Sequence, residues 1–132
     1  MSVNYRMGMG QAFDLLTILE LKKKRVKSEL LRESADIQHD ILWRDILEAI
    51  GNPDRTDGLR YKWDELYQAN QALWDLENEV RVIMGGLDES TQVADVARQI
   101  VKWNDQRFRL KQKIDKLCGE DSTEVKELPD YD

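Results

Sequence analysis

Apolar residues recur along most of this chain at steps of three and four, the spacing of one helix face. Nowhere do apolar and polar residues alternate long enough to suggest a sheet. Cut at its glycines and prolines, the pattern predicts four helices, at about 11–33, 36–50, 59–84 and 90–118. Ser34 or Asp36 is the expected cap of the second, Gly51 its terminator, and Ser90 the cap of the fourth. Two helices of 25 to 30 residues around Gly85-Gly86 make an antiparallel hairpin about 40 Å long. The expected class is all-α: a long helical hairpin plus two N-terminal helices, bundle-like, as one domain over 1–118. The segment 119–132 reads as an acidic tail without fixed structure, although Leu128 and Tyr131 could dock it.

One stripe breaks the rule that a helix keeps its polar groups away from its apolar face. Asn70, Trp74, Glu77 and Arg81 follow one another at i, i+4, i+7 and i+11, within roughly 60° of arc. Trp63, Leu66, Leu73 and Met84 share that arc. On the fourth helix Asn104, Arg107, Lys111 and Asp115 fall among Val93, Ala97, Ile100, Phe108 and Cys118. The start of the first helix, FDLLTILEL, is apolar on nearly every side, and Asp14 aligns there with Ile18, Leu21 and Arg25. A helix apolar all round suits a central position or a dimer interface, and the expected assembly is a homodimer that buries it.

Charge changes the picture little. The formal net charge is −6, but the tail carries six acidic groups against Lys126 alone and so holds −5 of it. The body is balanced, without the basic footprint of a nucleic-acid binder. No apolar run reaches the roughly 18 residues of a membrane span, and the N-terminus has no signal-like apolar core. One cysteine, Cys118, leaves no internal disulfide and fits a reducing cytoplasm.

Two readings of the buried charges stay open. Glu77, Asp115 and Asp14 nearly balance Arg81, Arg107, Lys111 and Arg25, as a register-fixing salt network would. Alternatively, the slight cationic excess lines an interhelical pocket for a phosphate- or carboxylate-bearing ligand, with Arg81 and Arg107 as forks and Trp74 as a stacking face. Candidate ligand-binding residues are therefore Asn70, Trp74, Glu77, Arg81, Asn104, Arg107, Lys111, Asp115 and Asp14. No metal or cofactor is expected. The paired acidic motifs of all-α nucleotide pyrophosphohydrolases have only echoes here, in Asp45 with Glu48 and Glu77 with Glu79. His39 lacks a second ligand at metal spacing and reads as an ordinary helix residue. Lys22 to Arg25 point four ways around a helix and read as a solvated collar. The expected function is a non-catalytic binding or assembly module. The alternative is a small enzyme acting on a nucleotide or phosphorylated substrate through Glu77 or Asp115.

The same positions carry a resemblance. Gly10, Asp14, Thr17, Ile18, Leu19, Glu20 and Lys22 match a Gly-x-x-x-Asp-x-x-Thr-Ile-Leu-Glu-x-Lys block. Asn70, Leu73, Trp74, Glu77 and Arg81 match Asn-x-x-Leu-Trp-x-x-Glu-Asp-x-x-Arg, and Ala97, Arg98, Asn104, Asp105, Arg107 and Lys111 match a third block. The chain thereby resembles an uncharacterised family of small bacterial proteins, a domain of unknown function, over nearly its whole length. It departs from that pattern at Asn78, Phe108 and Asp115, and at its C-terminus, where Glu124, Val125, Lys126 and Leu128 replace a Glu-Glu-Lys-x-Tyr ending. The resemblance implies which residues matter and no activity.

Overall fold

The first helix stops earlier than the apolar pattern suggests, because the chain breaks at residues 26–28 without glycine or proline. In the computed structural model α1 spans Met9–Arg25, and Val26 is extended at φ −70°, ψ 130°. Ser28 then caps α2 (Glu29–Ile50), its hydroxyl accepting from the Leu31 N–H at 3.3 Å. A serine cap is worth about 1 kcal/mol, enough to fix the start of α2 here. Ser34 and Asp36, the caps expected from sequence, lie one to two turns inside that helix. Gly51 ends it as expected, at φ 77°, with its N–H on the Leu47 carbonyl at 2.9 Å.

The structure describes residues 2–53, 58–85, 90–119 and 125–129, with backbone alone for 2–6, 90, 91 and 125–129. Within them α3 (Leu59–Met84) and α4 (Ser90–Leu117) form the long hairpin. The capping role expected of Ser90 and the place of Gly86 fall outside the described residues. The N-terminal strand β1 (Ser2–Met7) pairs antiparallel with β2 (Val125–Pro129), with a register irregularity between Asn4 and Met7. Of the acidic tail, only this stretch and Gly119 are described; β2 lies beside α2. β1 alternates polar and apolar residues from Ser2 to Met7, a run too brief to stand out against the helical pattern of the rest, whereas β2 does not alternate.

Between α3 and α4 the seam follows the heptad rhythm of a coiled coil. Leu73, Leu76, Val80 and Ile83 line it from α3, and Val93, Val96, Ile100, Trp103, Arg107, Leu110 and Ile114 from α4, all buried or half-buried. The seam sits one position away from the arc drawn around Asn104. Ala97, Asn104 and Phe108 are accordingly exposed.

Helix α1 runs through the middle, touching α2, α3 and α4. Met9, Ala12, Phe13 and Leu16 are fully buried, and Leu19 and Leu21 keep 1% of their surface. All but Leu21 pack with Leu42 and Ile46 of α2, Leu59, Trp63 and Leu66 of α3, and Leu110 and Ile114 of α4. The apolar helix is thus covered within one chain by α2, α3 and α4, where a second copy is expected from the sequence to cover it. A homodimer is not needed to cover it.

The approach of α1 to α4 is closest at Gly10. A Cβ there would lie 2.2 Å from the Lys111 carbonyl oxygen, a backbone atom that only a shift of the whole helix could clear. Gly10→Ala should therefore lower stability by about 2–3 kcal/mol, roughly 8–15 °C in Tm for a domain of this size. A melt within a degree or two of the parent would contradict the close crossing.

Candidate functional site

A carboxylate on a central helix must find partners there, because burying an unpaired charge is costly. Asp14 sits on α1 with 4% of its surface exposed. Arg107 of α4 meets it edge to edge, Nε donating to Oδ1 at 2.8 Å and Nη2 to Oδ2 at 2.5 Å. Asn70 of α3, 5% exposed, donates from Nδ2 to the same Oδ1 at 2.9 Å and to the Thr17 hydroxyl at 2.8 Å. Thr17 spends its own proton on the Asp14 backbone carbonyl at 2.7 Å, so it receives Asn70 as an acceptor. That bond also fixes which end of the Asn70 amide faces inward. Four residues from three helices close one network.

Two further contacts lock the same crossing. Asp115 of α4 accepts the Gly10 N–H at 2.7 Å. Gly8, the residue at the cap position of α1, has no side chain to serve that end. A carboxylate from another helix thus replaces the missing cap, where the positive end of the helix dipole favours it. Lys111 supplies the backbone that Gly10 approaches, its side chain being half-buried.

The electrostatics follow from the geometry. Hydrogen bonds to Asp14 hold the Arg107 guanidinium above its ordinary range despite the opposing effect of burial, and the charges of Asp14 and Glu77 add to this. Burial first, and the Asp115 charge second, push the Cys118 thiol up, which makes it a poor nucleophile near neutral pH. Asp14 accepts three hydrogen bonds through its two oxygens, a poor arrangement for a general base. Among the described residues, no three His, Cys, Asp or Glu side chains gather as a metal site would need.

Of the nine candidates, Asp14, Asn70, Arg107 and Asp115 meet at this junction, with Lys111 beside it. Trp74 is half-buried further along α3. Glu77, Arg81 and Asn104 are exposed, and Arg81 donates to Asn78 at 2.9 Å on its own helix. The reason is the reach of the cover: α3 is sheathed on several sides only up to about Leu76, and beyond it the heptad seam alone is buried. Arg25, aligned with Asp14 in the sequence, pairs instead with Asp75. Thr17 is the residue the stripe reasoning missed, although it stands one turn after Asp14 in the Gly10–Lys22 block. Also missed is a second group, Glu20, His39, Trp43 and Trp63. Glu20 accepts from the Trp63 indole N–H at 3.1 Å and stands 3.6 Å from His39 Nε2.

Breaking one side of the clip should cost about 3 kcal/mol, as for other buried pairs stripped of one partner. Asp14→Ala and Arg107→Ala should each do so. The double variant should lose less than the two together by at least about 1 kcal/mol, since no charge is then left alone. Exposed Glu77→Ala should stay within about 0.5 kcal/mol of the parent. Urea melts of the four variants check this, and additive losses at Asp14 and Arg107 would contradict it.

No protein-family model, curated protein or solved structure matches this chain, so the site is read from its own residues.

Proposed function

We propose that this protein is a non-catalytic helical binding or assembly module in which the Asp14–Arg107–Asn70–Thr17 network sets geometry and performs no chemistry. The single observation behind this reading is the closure of that network. The donors and acceptors that a substrate would need are turned toward one another. The alternative, a small enzyme on nucleotide or phosphorylated substrates, finds less support. Glu77, Glu79 and Glu48 are exposed, and they join no cluster of acids at metal-ligand spacing among the described residues.

The resemblance to the uncharacterised bacterial family belongs to the same proposal. Gly10, Asp14, Thr17, Asn70 and Arg107 come from three separated sequence blocks and meet at one junction, as shared structural residues would. A reducing, cytoplasmic setting is consistent with the lone Cys118. No helix among the described residues is long and apolar enough to cross a membrane. For self-association, α1 is covered by the other helices; a second copy would instead meet exposed apolar residues such as Val82, Met84, Val101 and Phe108 on the hairpin or Leu30, Leu31 and Ile37 on α2.

A small anionic ligand is the expected cargo. Screening phosphate- and carboxylate-bearing metabolites, with and without Mg²⁺, should raise Tm through linkage for at least one of them. That compound should be recovered chemically unchanged. A screen that shifts nothing would overturn the binding role. Turnover abolished by Glu77→Gln or Asp115→Asn would overturn the non-catalytic one.

A further inference from the structure

The residues left out of the polar stripes line an open cavity of about 360 Å³ where α1, α2 and α3 meet. Its lining is Glu20, Lys23 and Lys24 from α1, His39 and Trp43 from α2, and Arg60 and Trp63 from α3. The two indoles lie 5.2 Å apart at 38°, Trp63 buried and Trp43 half-buried. The Arg60 guanidinium stacks over Trp63 at 4.3 Å from the ring centroid. Lys24 donates to the Tyr67 hydroxyl at 3.2 Å, a partner that leaves its charge uncancelled. The His39 side chain is 17% exposed, and its Nδ1 has no hydrogen bond among the described residues.

We propose that this cavity is a binding site for a small flat aromatic anion, a single ring system bearing one carboxylate or phosphate. The proposal rests on the binding-module reading above and gives that module its ligand site, away from the Asp14 clip.

Size, charge and surface each narrow the class. Ligand cavities run from about 300 to 1,000 Å³, so this one suits one ring system with a single anionic substituent. Two indoles with an acid could instead cage a cation. The wall argues otherwise, because Lys23, Lys24 and Arg60 outnumber Glu20. Glu20 is already engaged by the Trp63 N–H. Asp36 and Asp64 pair with Lys23 at 2.9 Å and with Arg60 at 3.3 Å, but both acids are more than half exposed. Such exposed pairs are worth about 1 kcal/mol or less and are cheaply exchanged for a ligand anion. A guanidinium held over an indole keeps its plane preset, so that a ligand carboxylate or phosphate would exchange for the exposed Asp64 on it. The indole surface supplies the apolar face for the ring.

Calorimetry on the full chain tests this with six probes: adenosine monophosphate, nicotinate, benzoate, adenosine, inorganic phosphate and choline. At least one ring-bearing anion should bind saturably and quench tryptophan fluorescence. Adenosine, lacking charge, and phosphate, lacking a ring, should bind about tenfold more weakly or not at all. Arg60→Ala and Lys24→Gln, both on exposed side chains, should each weaken the bound anion about tenfold, the scale of one charge-assisted hydrogen bond. Glu77→Gln should change nothing. Unchanged circular dichroism and Tm of the variants confirm that they fold. Whether the monophosphate or the carboxylates bind more tightly identifies the source of the anion. An anion that binds indifferently to Arg60 and Lys24 would overturn this site and leave the module reading standing. Preference for choline, or equal binding of adenosine, would overturn the anion class. Absence of binding by every probe would overturn the site, and the broader metabolite screen would then decide the module reading separately.

Discussion

Asp14 is the charge around which the rest is arranged. It lies on the helix that touches all three others, in a position where water cannot serve it. Its two oxygens are therefore served by Arg107 from α4 and Asn70 from α3, with Thr17 completing the set. Apolar packing alone would let three helices slide past one another at small cost. A bidentate ion pair with a shared amide tolerates no such slip, because a displaced register leaves a charge unpaired. Gly10 and Asp115 belong to the same constraint. The first lets α1 and α4 approach to backbone contact, and the second serves the helix end that this approach buries.

Much of this could be read from the sequence, and the failures have physical causes. Gly51 and the gap between the hairpin helices marked their boundaries because glycine and proline do so openly. The break at 26–28 was hidden, since Val26, Lys27 and Ser28 look like any helical run; only the Ser28 cap could have betrayed it. Of the polar residues singled out in the sequence, Asn70, Arg107, Asp115 and Asp14 make hydrogen bonds between helices. The same reasoning went too far at Glu77, Arg81 and Asn104. A wheel at 100° per residue drifts from a heptad seam, and it cannot say where the covering helix ends. Trp43, His39 and Glu20 stayed invisible as a group because each is unremarked on its own helix. Only the crossing of α1, α2 and α3 brings them together.

This arrangement separates two jobs that buried polar residues can do. In the clip both Asp14 oxygens and the Thr17 hydroxyl are already engaged, which suits it to holding a shape. The α1–α2–α3 cavity has cations and indole faces, and is suited to accepting something. The two lie on the same central helix, with Asp14 and Thr17 serving one and Glu20, Lys23 and Lys24 the other. A single rigid α1 thus fixes the walls of the cavity by way of the clip.

The state of the Arg107 side chain reports most directly on the central claim. Nitrogen-15 NMR resolves arginine Nε–H groups and their exchange with water. The Arg107 Nε–H should exchange far more slowly than those of exposed Arg98 and Arg109, and this protection should vanish in Asp14→Asn. An Arg107 signal that exchanges as fast as theirs in the parent protein would mean that the clip is not formed.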